Sequence, residues 1–516
     1  MGKLFGTDGI RGVANEYPMT SELAMKVGKA VASIFKKHNN DRQKVVIGKD
    51  TRLSGDMLEH AIASGVAAMG VDVYLAGILP TPGIAYIAAS TGAIAGIVIS
   101  ASHNPFYDNG IKIFKSDGFK PSDEKEAEIE HFVLNENMDL SKTAVHDTGR
   151  VYAMADSGKR YTNFLKHTLP ERNTFKGLKI IMDCSNGATF DVAPELLTML
   201  GANVDALFVR PDGKNINENC GSQNPEVLRK NVVNKGADIG LAFDGDGDRL
   251  VAVDETGGIA TGDQIIAICA KYMKQTGILK GNCVVSTVMS NLGLRLSLKK
   301  MGIKHIESKV GDRRVVEKML SLGAVLGGED SGHMIFLDHH TTGDGILTAL
   351  RLIEIMQAES KPLSELRKIM TVFPQILINV EVRHKPDIET VSEIKDAMMS
   401  VERRLDNEGR VLIRYSGTEP LCRVMVEGPS IEKTRSYCQE LADVVKKNIG
   451  KRKEELGKRK KDQSSEVGGW KITHQPKNRS GFKMFKRVQD QGGLERPTAV
   501  ISGIFRGLGV PAQRRD

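Results

Sequence analysis

The hydrophobic positions of this chain fall into short apolar runs separated by stretches of helical spacing, and the alternation repeats. The first round has a strand in VVIGKDTR, a helix, the Gly-led strand GVDVYLAG, a second helix and a strand in AIAGIVISASHNP. The second runs KIIMDCSNGA (179–188), helix, GANVDALFV (201–209), helix, ADIGLAFDGDGDR (237–249). The third runs NCVVSTVMSN (282–291), helix, GIKHIESKVGDR (302–313), helix, AVLGGEDSGH (324–333). Strands alternating with helices predict α/β units, and a repeat at this scale predicts related ones. Each round closes in a polar loop: SASHNP, DGDGDR, GEDSGH. Open α/β sheets bind ligands at the carboxyl ends of their strands, so three units stacked alike turn these loops toward one cleft. After about residue 370 the texture changes. Strand-like FPQILINVEV, a helix over 388–404, the strands RVLIRYSGTEP and CRVMVEG, and a helix over 430–448 form a smaller α+β unit.

The loops carry the candidate chemistry. A buried strand over Ile94–Ile99 breaks into Ser100-Ala101-Ser102-His103-Asn104-Pro105, which offers Ser102 as a nucleophile with His103 beside it and Lys112 ten residues on. Asp244, Asp246 and Asp248 alternate between two apolar strands, a set of hard oxygen ligands suited to Mg²⁺. An EF-hand is rejected although Glu255 falls at its twelfth position, because Arg249 stands where that loop needs Gly and the flanks read as strands. Glu329, Ser331 and His333 supply acceptors and donors for a polyol. In RYSGTEP, Arg414, Ser416 and Thr418 surround a Gly-bearing turn that can hold an anion. FGTDGIRG can bring backbone and the Arg11 guanidinium up to a phosphate, and Lys112 and Arg249 are further cations for neutralising phosphate or relaying protons. A serine that carries a phosphoryl group needs a divalent ion and cations around it, and these motifs together meet that need.

Composition narrows the setting. The 516 residues are 40% hydrophobic and 26% charged, and no apolar run approaches the ~20 residues of a membrane helix. The start MGKLFGTDGIRG lacks a signal-peptide core, and Gly6 stands where myristoylation needs Ser or Thr. Six scattered cysteines without a metal-binding spacing fit buried thiols in a reducing cytoplasm, and no membrane partner is expected. The net charge of +8 is misleading. Residues 451–516 hold 17 Lys and Arg against 7 Asp and Glu, so this tail carries +10 and the rest of the chain −2. The tail lacks periodicity and is expected to be disordered, and any nucleic-acid binding would be confined to it.

In combination, FGTDGIRG, SASHNP, DGDGDR, GEDSGH followed by TTGDG (341–345), and RYSGTEP resemble the α-D-phosphohexomutase superfamily over residues 1 to about 449, on its amino-sugar branch. The resemblance implies an α/β protein of four domains, three related α/β units with mixed sheets flanked by helices and a smaller α+β C-terminal domain, around a central cleft. On that plan residues 1–155 carry the phosphoserine loop, 156–255 the metal loop, 256–368 the sugar loop and 369–449 the phosphate site, with 450–516 as the tail. Ser102 is then the phosphoserine and binds Mg²⁺ together with Asp244, Asp246 and Asp248. Lys112 transfers protons with Arg11, His103 and Arg249 alongside. Glu329, Ser331 and His333 meet the sugar, and Arg414, Ser416, Gly417, Thr418 and Arg423 hold its phosphate.

The activity so implied interconverts glucosamine 6-phosphate and glucosamine 1-phosphate through glucosamine 1,6-bisphosphate, which also acts as activator, and supplies UDP-N-acetylglucosamine synthesis. A homodimer is common among relatives. A phosphomannomutase/phosphoglucomutase of the same superfamily is the alternative, and a phosphatase or a binding protein acting through its basic tail are readings of other classes. Asp330 and Arg314 depart from residues common on the amino-sugar branch.

Overall fold

The computed structural model describes residues 4–6, 8–36, 42–135, 145–170, 174–416 and 420–451. The tail beyond Lys451, Thr7, and the site candidates Gly417 and Thr418 lie outside the described residues.

The first sheet contains β1 (Ile10–Val13), β2 (Lys44–Lys49), β3 (Asp72–Ile78), β4 (Ala95–Ile99), β5 (Asp108–Lys115) and β6 (Val151–Ala153), in the order β1-β5-β4-β2-β3-β6. The second contains β7 (Lys179–Asp183), β8 (Asn203–Leu207), β9 (Ile239–Phe243), β10 (Leu250–Asp254) and β11 (Ile259–Ala260), ordered β11-β10-β9-β7-β8. The third contains β12 (Cys283–Thr287), β13 (Lys304–Ser308), β14 (Leu326–Gly328) and β15 (Met334–Phe336), ordered β13-β12-β14-β15.

One plan underlies all three. The strands β3-β2-β4-β5, β8-β7-β9-β10 and β13-β12-β14-β15 each place three parallel strands beside an antiparallel fourth. A parallel connection needs about a dozen residues or more. The polar loops 100–107, 244–249 and 329–333 are too short for one, so each chain doubles back and its loop stays at the carboxyl edge. The sequence pattern shows three strands in each round and, in the second, the strand after DGDGDR as well; the structure adds the fourth strand of the first and third rounds. It also places Ile10–Val13 as an edge strand against β5, so Arg11 stands on a strand opposite Gly110 rather than in a free loop.

A single apolar core runs through the three units, including Phe114, Tyr161, Phe175, Phe243, Phe336 and Ile346. Tyr161, on the helix Ser157–His167, donates its hydroxyl to Asp344 Oδ2 at 2.9 Å, and Asp344 Oδ1 caps the helix Gly345–Glu359 by accepting from Leu347 N. Burial pushes Asp344 up to about 7. A carboxyl raised in the fold but near ~3.9 when unfolded contributes stability that is full below the lower value and lost as pH rises through the upper one. Urea midpoints measured between pH 4.5 and 7.5 should therefore decline from this group, and Asp344→Asn should flatten that slope.

The fourth sheet is antiparallel, with β16 (Gln375–Glu381), β17 (Arg410–Tyr415) and β18 (Leu421–Glu427) in the order β16-β18-β17. The helices Ser392–Leu405 and Ile431–Ile449 pack on it around a separate core of Val380, Ile394, Val401, Cys438 and Leu441. An ion pair within this unit hydrogen-bonds to backbone groups of the third. Arg410 Nε pairs with the buried Glu427 at 2.7 Å, Arg410 Nη1 donates to Val288 O, and Glu427 accepts from Leu292 N. All six cysteines are buried and free, and burial pushes Cys220 and Cys269 up to about 12, so they are inert thiols. Among the described residues no helix is long and apolar enough to cross a membrane.

Candidate active site

Ser102 sits in the loop between β4 and β5 with φ of 53°, in the left-handed region that a side chain other than glycine rarely occupies. Several contacts hold it there. Its N–H donates to Ser100 Oγ at 2.9 Å, and Ser100 Oγ donates to Asp50 Oδ2 at 2.5 Å. Its carbonyl oxygen accepts from Arg52 Nη2 at 3.1 Å and from Asn217 Nδ2 at 2.9 Å. Asp50 and Arg52 form a fully buried ion pair just past β2, which neighbours β4. Backbone strain of this kind persists only where surroundings over-determine it, and it aims Ser102 Oγ at the next loop.

That loop is DGDGDR. Ser102 Oγ donates to Asp244 Oδ2 at 2.6 Å, across 142 residues of sequence. Such proximity needs Gly245, where a Cβ would meet Ser102 O at 2.5 Å. Asp244, Asp246 and Asp248 are buried and offer oxygens that all lie within 4.8 Å of one another. Burial, then Asp248 and Asp246, push Asp244 well above the usual carboxylate range. Burial also works to raise Asp248, but Lys112 and His333 reverse it and leave Asp248 well below that range. Asp246 Oδ1 and Asp248 Oδ1 are buried without a hydrogen-bond partner. Converging, orphaned carboxylate oxygens are what a hard divalent cation would satisfy. Glu255 ties to Ser364 rather than joining this cluster, consistent with the rejected EF-hand.

Cations enclose the triad. Lys112 Nζ lies 2.7 Å from Asp246 Oδ2, 3.4 Å from Asp248 Oδ2 and 3.0 Å from Asp8 Oδ2. Burial would lower its pKa, but Asp246, Asp8 and Asp248 raise it well above the lysine value, so the group is an ammonium. Arg11 Nη2 meets Asp8 Oδ2 at 2.5 Å, and Arg11 Nη1 reaches Ala101 O at 3.4 Å. Arg249 donates its N–H to Asp244 Oδ1 and Nη1 to His103 Nδ1 at 3.2 Å. His103 Nδ1 is also 3.3 Å from Ser102 Oγ, and burial, then Arg249 and Arg11, push it down to about 4. His103 is therefore a neutral imidazole near pH 7.

From the third unit, His333 Nδ1 stands 3.6 Å from Asp248 Oδ2. Ser331 Oγ is 3.5 Å from Glu329 Oε2, and Glu329 Oε1 accepts from Gly311 N at 3.1 Å. The structure thus brings all three loops to one centre.

On the fourth sheet Arg414 and Arg423 are cross-strand partners. Burial and the neighbouring Arg423 lower the Arg414 pKa. Ser416 is buried, and its carbonyl accepts from Lys385 Nζ at 2.7 Å.

Sequence reasoning missed several participants. Thr81 Oγ1 donates to Asp246 Oδ2 at 2.5 Å, and Lys120 pairs with both Asp8 and Asp312. Asp50 and Arg52 had a signal, since KDTR ends the strand next to the serine strand. Lys120, in an ordinary-looking SDGFKPSDE turn, had none.

Four family models, for domains I, II and III and the C-terminal domain of phosphoglucomutase/phosphomannomutase, match residues 2–139, 159–258, 261–373 and 377–444. The chain belongs to this family. Within the phosphoglucomutase/phosphomannomutase family it is similar to the phosphoglucosamine mutases of Syntrophus aciditrophicus and Syntrophobacter fumaroxidans. Each is 58% identical over 450 residues, covering 87% of this chain and 100% of the relative. Among solved structures, a phosphoglucomutase/phosphomannomutase family protein from Burkholderia thailandensis matches with a TM-score of 0.71 and 24% identity, over 86% of this chain and 99% of that one. The Aspergillus fumigatus N-acetylphosphoglucosamine mutase, solved with GlcNAc-6P and magnesium, matches at 0.62 and 16%, over 86% and 96%. As a family member the chain is an enzyme, a mutase of the isomerase class.

Proposed function

We propose that this enzyme interconverts glucosamine 6-phosphate and glucosamine 1-phosphate through a phosphoryl group carried on Ser102, supplying amino-sugar precursors of the cell wall in the cytoplasm. The observation that carries the reading is Ser102 Oγ, buried and 2.6 Å from the first carboxylate of the Asp triad. The identity to phosphoglucosamine mutases supports the amino sugar.

In the first half-reaction the bond between phosphorus and Ser102 Oγ breaks as one forms to the free hydroxyl of the bound sugar phosphate, at C1 of the 6-phosphate or C6 of the 1-phosphate; the hydroxyl gives up a proton and Ser102 Oγ gains one. The resulting 1,6-bisphosphate turns end for end, and its other phosphoryl returns to Ser102. Asp244, Asp246 and Asp248 would hold Mg²⁺ with Ser102, an ion that spreads the charge of a transferring phosphoryl group. Lys112 is the proton-transfer residue: as the ammonium held by Asp246 and Asp248 it donates to Ser102 Oγ as that bond breaks and regains the proton that the sugar hydroxyl releases. Arg11 and Arg249 face phosphoryl oxygens, and neutral His103 orders Arg249 beside Ser102. Glu329, Ser331 and His333 bind sugar hydroxyls. Arg414, Ser416, Gly417, Thr418 and Arg423 grip the phosphate that is not reacting.

The domain limits 1–155, 156–255, 256–368 and 369–449 belong to the same reading, as does a homodimer. Leaving out residues 452–516 should preserve kcat, because no role in the chemistry is assigned to them.

A coupled assay for glucosamine 1-phosphate, run beside glucose and mannose phosphates with a trace of bisphosphate, tests the substrate. Preference for the amino sugar in kcat/KM is expected, and preference for a neutral hexose phosphate would replace the substrate while keeping the mechanism. Chelation with EDTA should abolish turnover and added Mg²⁺ should restore it. Activity persisting in EDTA would remove the metal from the reading.

A further inference from the structure

Lys120 belongs to none of the motif loops, yet it lies at the junction of two of the units that form the site. It follows β5, two residues after Gly118, whose carbonyl oxygen accepts from Thr341 Oγ1 of the third unit at 2.7 Å. That contact sets the Lys120 ammonium between Asp8 of the first unit and Asp312 of the third, ion-paired with both, and the side chain is only 11% exposed.

Asp8 is shared. Its Oδ1 takes Lys120, while its Oδ2 takes Arg11 at 2.5 Å and Lys112 at 3.0 Å. On the far side, Asp312 Oδ2 stands 3.8 Å from His333 Nε2. Charges therefore alternate along Asp312, Lys120, Asp8, Lys112 and Asp246.

Without the ammonium, Asp8 and Asp312 are two largely buried carboxylates facing one another, a repulsion that turns one of them away. If Asp8 turns, Lys112 and Arg11 lose the acceptor that fixes them against the first unit. Nearby, Arg313 pairs with Asp123 and Glu126, and Arg314 with Asp123 and Glu317. The pairs with Asp123 and Glu126 join the same two units but touch no residue of the reacting centre, so they hold the units together without orienting Lys112.

We propose that Lys120 is a positioning residue of the phosphoryl-transfer centre: by bridging Asp8 and Asp312 it fixes Asp8 and through it Lys112 and Arg11, so that return of the phosphoryl group to Ser102 outruns loss of the bisphosphate. This rests on the mutase reading above. An enzyme whose intermediate must reorient gains from cations that are already in place, because an intermediate lost to solvent empties Ser102 of its phosphoryl group.

The test compares Lys120→Met, Lys120→Arg and Arg314→Ala with the wild-type enzyme, measuring kcat, KM, the bisphosphate concentration for half-maximal rate and the melting temperature. Misplacement of a catalytic group by about 1 Å can cost on the order of 100-fold, so Lys120→Met should lower kcat by about 30-fold or more with KM changed by less than about threefold. Its requirement for added bisphosphate should rise about tenfold, reflecting loss of the intermediate, and Lys120→Arg should recover much of both. Arg314→Ala should keep kcat within about twofold even where its melting temperature falls.

Should Lys120→Met fail to fold, Asp312→Asn removes the far half of the bridge and should show the same kcat and bisphosphate effects in weaker form. The proposal is overturned if Lys120→Met, or Asp312→Asn in its place, keeps wild-type kcat and bisphosphate requirement. It is also overturned if Arg314→Ala loses kcat in step with Lys120→Met, since that reduces the bridge to adhesion between units. A wild-type enzyme inert on every hexose phosphate defeats the mutase reading itself and this proposal with it.

Discussion

Ser102→Ala should abolish turnover, with a fall in kcat on the order of 10⁴-fold or more, because the variant has no atom to carry the phosphoryl group between the two half-reactions. The fold should survive. Ser102 is pinned through its backbone, by Arg52 and Asn217 on its carbonyl and Ser100 on its N–H, and alanine keeps those contacts. What the substitution removes is the hydroxyl donated to Asp244, a carboxyl that burial already pushes upward and that can take a proton in exchange. Intact-protein mass spectrometry after incubation with bisphosphate should show one phosphate on the wild-type chain and none on the variant. A variant that turns over at the wild-type rate would falsify the assignment of Ser102, whatever its mass.

Arg52→Ala has the largest expected effect on stability. Its guanidinium and the Asp50 carboxylate are both fully buried. Burial holds Asp50 above the ordinary aspartate range even with Arg52 beside it, so this carboxylate is already poorly solvated. Removing one partner of a buried pair leaves an uncompensated charge and costs about 3–5 kcal/mol. Arg52 also donates to Asp108 O, Ser102 O and Asn104 O, which fastens both ends of the serine loop. Stability and kcat should therefore fall together, read from urea midpoints and from the mutase assay. Arg52→Ala combined with Asp50→Asn should recover part of the stability, since the stranded charge is gone, but little of the activity, since the loop still lacks its donors. Full recovery of activity in the double variant would show that the guanidinium does not set the serine.

The differing visibility of these two residues in the sequence has a physical basis. Ser102 was legible because an apolar strand that stops abruptly in Ser, His, Asn and Pro is a local pattern, complete within a dozen residues. Asp244, Asp246 and Asp248 were legible for a similar reason, as carboxylates alternating between two buried strands conflict with burial unless a cation joins them. Arg52 was printed at the end of a comparable strand, yet its importance depends on β2 lying beside β4, a pairing between segments about fifty residues apart. Lys120 depends on a partner 192 residues away in Asp312, and no local pattern reports that.

By itself, then, the sequence determined the elements and the loops: three rounds of strand and helix, a fourth α+β unit, and the polar residues at each strand end. Periodicity and strand-ending chemistry are properties of neighbouring residues and need no knowledge of the fold. Only the tertiary structure decided the antiparallel pairing of a fourth strand in each unit, the left-handed backbone of Ser102, and the protonation of the centre. Those follow from burial and from which charge meets which. Lys112 is an ammonium because three carboxylates from two units surround it, and His103 is neutral because burial and two guanidinia oppose its charge. Coulomb energies and desolvation depend on distance through space, and the chain sets those distances only by folding.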